Sequence, residues 1–417
     1  MKAMKKNAMK TAAGLVCLAM AFAGVVLSNT GCCPGTSGTA SPAKYIFLFI
    51  GDGMGATHVA ATESYKAYKN GETGFERLSF TGFPVLGMAE TYSANSSITC
   101  SSAAGTAISC GVKTNNGWLG ISPEGDTLKS IAFILKEKGY KVGIMSSVPV
   151  NHATPAAFYG HNVSRHAYYE ITEEIPASGF DFLAGSGFID YAGKDGDKEG
   201  SKPLLEKAGY SVCFGMDELE DAMEAGAEHI VLSQESYRGK DTPTYVVEKE
   251  PDGEISSEEM VGKCLEFFGD DTPFFIMFEQ GDIDWAAHDN KTMPMIEKVM
   301  ELDGAVRKAM EFYREHPDET LILVTADHET GGITLGGALS GEDNLKWNIL
   351  DSVWTASGCR NELDYNENKA LNDKAYIGWT TLSHTGGPVP VYAIGKGSDR
   401  FGGRYDNTEI KGKILGE

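Results

Sequence analysis

The chain has 417 residues, 42% of them hydrophobic, with 50 glycines and 15 prolines. It is long enough for a large buried core, too apolar for a disordered chain, and lacks the periodic glycine of collagen. Its 36 Lys+Arg against 58 Asp+Glu leave a formal charge of −22, which excludes nucleic-acid binding through clustered basic residues; an anionic ligand needs a local positive centre such as metal ions.

Lys2, Lys5, Lys6 and Lys10 open the chain, and an apolar run follows from Ala12 to Leu27. This pattern predicts an export signal over 1–31, the run being shorter than the ~20 residues of a spanning helix. Ser28-Asn29-Thr30-Gly31 before Cys32 resembles a bacterial lipoprotein cleavage site, with lipid attachment at Cys32 as its consequence. A cut after Ala23 is the alternative. Either reading predicts an exported protein, periplasmic or at the cell surface, with a lipoprotein anchor in the first case. Residues 32–43, rich in Gly, Ser and Thr, read as a flexible tether. Residues 44–417 show no repeat and no second linker, and read as one domain.

Tyr45 to Ile50 is a continuous apolar run ending in Gly51-Asp52-Gly53-Met54-Gly55. Thr99 to Ala107 is a run of small residues that reads as a tightly packed helix start, with Ser101 and Ser102 at its head. A helix N-terminus offers free N–H groups and a positive dipole end to an anion. Helical stretches are predicted over Asp126–Lys138, Glu258–Phe268 and Ile296–Arg314. Phe274 to Phe278 runs into Glu279 and Asp284, and Leu321 to Val324 into Asp327-His328. His384 precedes a last apolar strand, Val389 to Ile394. Short apolar runs separated by helices are strands of a parallel sheet buried on both faces, so the fold class is α/β. Ligands collect beyond the carboxyl ends of such strands, and three strands deliver acids to that edge.

Asp284 and His288 lie four apart and share one face of a helix. Mixed carboxylate and imidazole donors suit zinc, whereas all-oxygen sets suit magnesium. The eight cysteines, at 17, 32, 33, 100, 110, 213, 264 and 359, contain no CxxC pair, against a thiolate zinc site. Gly336 to Lys374 is the longest poorly patterned stretch, suited to covering the site or to a dimer contact.

Asp52-Gly53, Ser101 running into Gly111-Val112-Lys113-Thr114, Ala153-Thr154-Pro155-Ala156, Glu279 through His288, Thr325-Ala326-Asp327-His328 and His384-Thr385-Gly386 follow one order. From residue 44 nearly to the end, that order and spacing resemble the alkaline phosphatase family. The resemblance implies a three-layer α/β/α sandwich around a large, mostly parallel central sheet. It also implies a hydrolase of small-molecule phosphate monoesters, working through a phosphoserine with two zinc ions and one magnesium ion. Carried over, Asp284, His288 and His384 hold the first zinc. Asp327, His328 and Asp52 hold the second, with Ser101 as nucleophile beside it, and Asp52, Thr154 and Glu279 hold magnesium. Arg165 clamps the phosphoryl oxygens, its fork suiting two at once.

The chain also departs from the family. Cys100 stands where many members carry an aspartate that braces the arginine. His152 and Trp285, beside the substrate, stand where the best-known bacterial members carry Asp and Lys, which leaves open whether the third site takes Mg or Zn. The family is commonly dimeric, but this chain is short and lacks an obvious arm, so both monomer and homodimer remain open. A sulfatase needs Pro and Arg two and four positions after its starting residue, and neither Cys100 nor Ser101 has them. A phosphodiesterase of the same superfamily usually lacks equivalents of Arg165 and Glu279. A phosphate- or metal-binding lipoprotein would not need a serine among metal ligands.

Overall fold

A computed structural model describes residues 41–243, 254–336, 345–360 and 363–417. The predicted export signal, Cys32, most of the tether and part of the 336–374 stretch lie outside the described residues.

The strands, in chain order, are β1 Tyr45–Gly51, β2 Val85–Glu90, β3 Lys141–Ser146, β4 Phe182–Gly185, β5 Ser211–Phe214, β6 Ile230–Ser233, β7 Phe274–Gln280, β8 Thr320–Thr325, β9 Glu329–Thr330, β10 Thr334–Leu335, β11 Ile377–Gly378, β12 His384–Thr385, β13 Val389–Gly395 and β14 Gly403–Asp406. Ten of them form one sheet in the order β14-β2-β13-β8-β1-β7-β3-β4-β6-β5. Every neighbouring pair is parallel except the two that involve β13. With helices on its faces this is the expected α/β/α sandwich.

The central strands are buried along their whole length because helices cover both faces, which is why their sequences are continuous rather than alternating. The exception, β13, has a topological cause. Residues 384–385, as β12, already pair with β9 beyond the carboxyl edge, so the chain can re-enter the sheet only by running back through it. Pro390 falls in the part of β13 that pairs with β2 alone, where its missing N–H is tolerated.

Two of the three predicted helical stretches fall within longer helices, Ser257–Phe268 and Thr292–Glu315. The third begins later than expected, at Ile131, because Ser130 caps it by accepting the Phe133 N–H. The described part of 336–374 packs on the outer helical layer. Trp347 donates to Ser64 Oγ on the helix Ala56–Lys69, and Trp354 to Glu297 on the helix Thr292–Glu315.

Candidate active site

Four adjacent strands, β3, β7, β1 and β8, end at one place. Register aligns Ser146 of β3 and Ile50 of β1 with Glu279, and Ile50 also with Thr325. Asp52 and Asp327 therefore follow β1 and β8 at the same edge, beside Glu279. The turn after β1 must be glycine: Gly53 has φ +70°, and a Cβ there would stand 2.8 Å from Thr330 Oγ1 and 2.9 Å from Asp284 Oδ1.

The helix Asp282–His288 follows β7 after one residue, so Asp284 and His288 share a face as their spacing predicts. His288 Nε2 lies 3.3 Å from Asp284 Oδ2 and 3.1 Å from His384 Nε2. His384 Nε2 lies 3.6 Å from Asp284 Oδ1. On the other side, His328 Nε2 is 3.3 Å from Asp52 Oδ1 and 3.2 Å from Asp327 Oδ2. The two predicted sets are neighbours, since the His328 and His384 rings stack with centroids 3.6 Å apart. Donor atoms of Asp284, His328 and His384 gather within 4.8 Å of one another, as do those of Asp52, Asp327 and His328. His328 thus lies within reach of both sets, and His288 closes the outer side with its side chain 32% exposed.

Backbone carbonyls orient two of the imidazoles. His288 Nδ1 bonds to the Leu382 carbonyl at 2.6 Å and His384 Nδ1 to the Thr99 carbonyl at 2.8 Å. A carbonyl can only accept, so Nδ1 carries a proton in both and Nε2 is the nitrogen turned to the centre.

The helix Ser101–Cys110 presents Ser101 at its first position, with Cys100 as N-cap. Its small residues permit a close approach: a Cβ on Gly105 would sit 3.0 Å from Ala157 Cβ and 3.5 Å from Thr154 Cα. That packing brings the segments bearing Ser101 and Thr154 together. Ser101 Oγ is 3.3 Å from His328 Nε2 and accepts from Arg165 Nη1 at 3.5 Å. Ser102 Oγ meets Cys100 Sγ at 3.2 Å instead. Ser101 is therefore the serine that faces the cluster. Arg165 Nη2 reaches His152 Nε2 at 3.0 Å, and Trp285 packs edge-on against that imidazole. His152 and Trp285 thus back the arginine.

Charge defines what the site can hold. Asp52, Glu279, Asp284 and Asp327 are buried, and no other cationic side chain than Arg165 meets Ser101 among the described residues. Burial, then the neighbouring acids, push Asp52 well above the usual carboxylate range. Burial likewise raises Glu279 to about 7 and Asp327 to about 8. Burial would raise Asp284 too, but its hydrogen bond with His288 and the nearby imidazoles hold it below the usual range. Burial lowers His328 far below its ordinary value and lowers His152 to about 3. Partial burial would lower His288 as well, but its hydrogen bond with Asp284 raises it to about 9, so one imidazolium and otherwise neutral imidazoles stand beside four crowded acids, without enough positive charge. Both oxygens of Asp52, Glu279 Oε1, Asp327 Oδ2 and Thr154 Oγ1 are buried with no hydrogen-bond partner. Buried polar atoms are rarely left so, and divalent cations supply both missing partner and missing charge. The residues fit metal ions.

The alkaline phosphatase family model matches residues 43–191 and 237–415. The chain belongs to the alkaline phosphatase family. It is accordingly a metal-dependent phosphate monoester hydrolase. It is 29% identical to alkaline phosphatase 4 of Bacillus subtilis, over 97% of this chain and 95% of that protein. Among solved structures, it resembles the alkaline phosphatase of the Antarctic bacterium TAB5 with a TM-score of 0.72 and 28% identity, over 90% of this chain and 97% of that one. The Thermus thermophilus alkaline phosphatase matches with a TM-score of 0.71 and 25% identity, over 91% and 92%. A variant of the TAB5 enzyme has Mg bound in its M3 site.

Sequence reasoning overlooked several groups that support the phosphatase centre. Ser146 donates to Glu279 Oε2, and Thr330 donates to Asp284 Oδ1 while meeting His328 Nδ1 at 3.3 Å. The Gly53 N–H donates to Asp327 Oδ1 at 3.1 Å. Ser146 had a signal, since it ends an apolar run, Val142 to Met145, beside the other strand ends. Thr330 had less, since it stands two residues after His328 but is fixed there by long-range contacts, its N–H to the Gly53 carbonyl and the pairing of β9 with β12.

Proposed function

We propose that this phosphatase transfers the phosphoryl group of a small monoester to Ser101 and then to water. The carrying observation is Ser101 Oγ at a helix head, 3.3 Å from His328 and within reach of Arg165. Asp284, His288 and His384 would hold one zinc, Asp327, His328 and Asp52 a second, and Asp52, Thr154 and Glu279 a magnesium. When bound, these ions supply Lewis-acid charge for the oxygens entering and leaving phosphorus. Arg165 binds two non-bridging oxygens with its fork, and His152 accepts from Nη2 to hold the guanidinium at that angle. The free N–H groups at the helix head favour the anion in the same place. Ser101 Oγ attacks phosphorus, the bond to the ester oxygen breaks, and the alcohol leaves. Water then breaks the Ser101–phosphorus bond, returns the hydroxyl and releases phosphate.

We also read residues 1–31 as an export signal, 32–43 as a tether and 44–417 as the catalytic domain, with a lipid anchor on Cys32 and a periplasmic or cell-surface location. No helix among the described residues is long and apolar enough to cross a membrane.

The test is hydrolysis of p-nitrophenyl phosphate and bis-p-nitrophenyl phosphate, before and after EDTA, by the protein and its Ser101→Ala variant. Monoester cleavage lost on chelation and in the variant is expected, with Ser102→Ala active. Preference for the diester would misassign Arg165 and Glu279. Full activity in Ser101→Ala would remove the phosphoserine.

A further inference from the structure

The loop Asn115–Trp118 carries no candidate ligand, yet its hydrogen bonds reach the segments that carry Ser101 and Arg165, and His384 lies one step further, on Thr99. Asn116 Oδ1 accepts the Cys100 N–H at 3.1 Å, and Asn116 Nδ2 donates to the Ile98 carbonyl at 3.0 Å. One carboxamide thus brackets Thr99. The Thr99 carbonyl accepts Nδ1–H of His384, and Thr99 stands two residues before Ser101. Asn116 is itself pinned, its N–H donating to Asn95 Oδ1 at 3.0 Å.

The next residue faces the arginine. The Gly117 N–H donates to Cys100 Sγ at 3.1 Å, while its carbonyl accepts the Arg165 N–H at 2.7 Å. Leu119 and Asn162 exchange two further bonds, of 2.8 and 2.9 Å. The backbone that presents Arg165 is therefore laid along this loop, and the loop is docked on the head of the nucleophile helix.

We propose that Asn116 is a positioning residue: its carboxamide holds Thr99 in place and so sets His384 and Ser101 relative to Arg165, which the same loop carries through Gly117. The inference rests on the nucleophile and zinc assignments above. The chemistry suits an amide, because one planar group must accept from an N–H and donate to a carbonyl two residues apart. Alanine offers neither bond, and an ionised aspartate offers only the acceptor. Cys100 belongs to a separate branch, since its thiol touches Gly117 and leaves the Thr99 bracket intact.

The experiment compares Asn116→Ala, Asn116→Asp and Cys100→Ala with the wild type. The readouts are kcat and KM for p-nitrophenyl phosphate, the inhibition constant of inorganic phosphate, zinc affinity of the metal-stripped protein, and the melting temperature. Misplacing a reacting group by a fraction of an ångström lowers rate strongly, so Asn116→Ala should lose roughly 10- to 100-fold in kcat/KM. Loosening the partner of a metal-binding histidine should weaken its zinc affinity by about tenfold, with Asn116→Asp in between. Cys100→Ala should raise the phosphate inhibition constant severalfold with zinc affinity unchanged. If Asn116→Ala keeps wild-type kcat, phosphate inhibition and zinc affinity, and only its melting temperature moves, Asn116 is a loop stabiliser and the proposal is overturned. Should Asn116→Ala not fold, unchanged zinc affinity in Asn116→Asp overturns it equally. An active Ser101→Ala variant would instead remove the nucleophile assignment, and the zinc comparison would still judge Asn116.

Discussion

Arg165 shows how single side chains set this centre. In a guanidinium braced by a carboxylate, charge-assisted bonds fix the fork. Here its side chain bonds to His152 Nε2 and Ser101 Oγ, and among the described residues no carboxylate pairs with it. Burial and the adjacent guanidinium keep His152 neutral, so the brace carries no charge. Cys100, where a bracing acid could sit, accepts the Gly117 N–H instead. Arg165 is therefore held more by its backbone than by its head, and released phosphate should be gripped weakly. Cys100→Asp should lower the phosphate inhibition constant by roughly tenfold or more, as one charge-assisted bond of about 1.5 kcal/mol or more is added. Unchanged inhibition would show that the missing carboxylate is not what sets phosphate affinity.

Elements carry the proposed ligands, and buried ions hold the elements. The helix that bears Asp284 and His288 begins at Asp282, whose Oδ1 accepts from Ser147 at 3.0 Å and from Gln280 at 2.8 Å. Lys298, on the neighbouring helix, places Nζ 3.0 Å from Asp282 Oδ2, with both side chains 6% exposed. Removing one partner of a buried pair strands the other's charge. Lys298→Met should therefore cost about 3–5 kcal/mol in urea unfolding, and a loss under about 1 kcal/mol would mean that water relieves Asp282. A second pair joins the Arg165 segment to the helix Tyr168–Ser178. Glu174 accepts from the His161 backbone N–H and from Nδ1, each at 3.0 Å, while Nε2 meets the Leu128 carbonyl at 3.0 Å. The bond to Glu174, opposed by partial burial, raises the His161 pKa above its ordinary 6.5. A raised histidine contributes stability that is complete below the unfolded value and fades as pH rises through the folded one. The urea midpoint of the wild type should accordingly fall, as pH rises above about 6.5, more steeply than that of His161→Asn; parallel slopes would refute the pairing.

At the scale of the molecule, the sheet gathers acids that the protein alone cannot neutralise. Removing metals should leave Asp52, Glu279, Asp284 and Asp327 with only Arg165 and the His288 imidazolium to offset them. The chelated protein should lose activity and melt roughly 5–10 °C lower, as about 4 kcal/mol of ligand linkage is lost, and zinc with magnesium should restore both. An unchanged melting temperature on verified metal removal would mean that these residues do not couple metal to folding.

Much of this was legible in the chain itself. Short apolar runs such as Tyr45–Ile50, ended by Gly51-Asp52-Gly53, read as strands buried on both faces, and the strand-edge rule places the acids at their ends near a ligand without knowledge of strand order. Asp284 and His288 share a face by helical period alone. The order of motifs pointed to the family, and with it to Ser101 over Ser102. What the chain could not carry was anything decided by packing between distant segments. The register that aligns Ser146, Glu279 and Ile50 depends on which strands become neighbours. The reversal of β13 depends on where the chain stands after His384. The stacking of His328 on His384, the bracket of Asn116 around Thr99 and the grip of His152 on Arg165 join residues whose local sequence holds no trace of their partner. Local patterns record the covalent neighbourhood and the need for burial, so they determine element type and which residues carry chemistry. Distances between those residues come from long-range packing, and only the tertiary structure sets them.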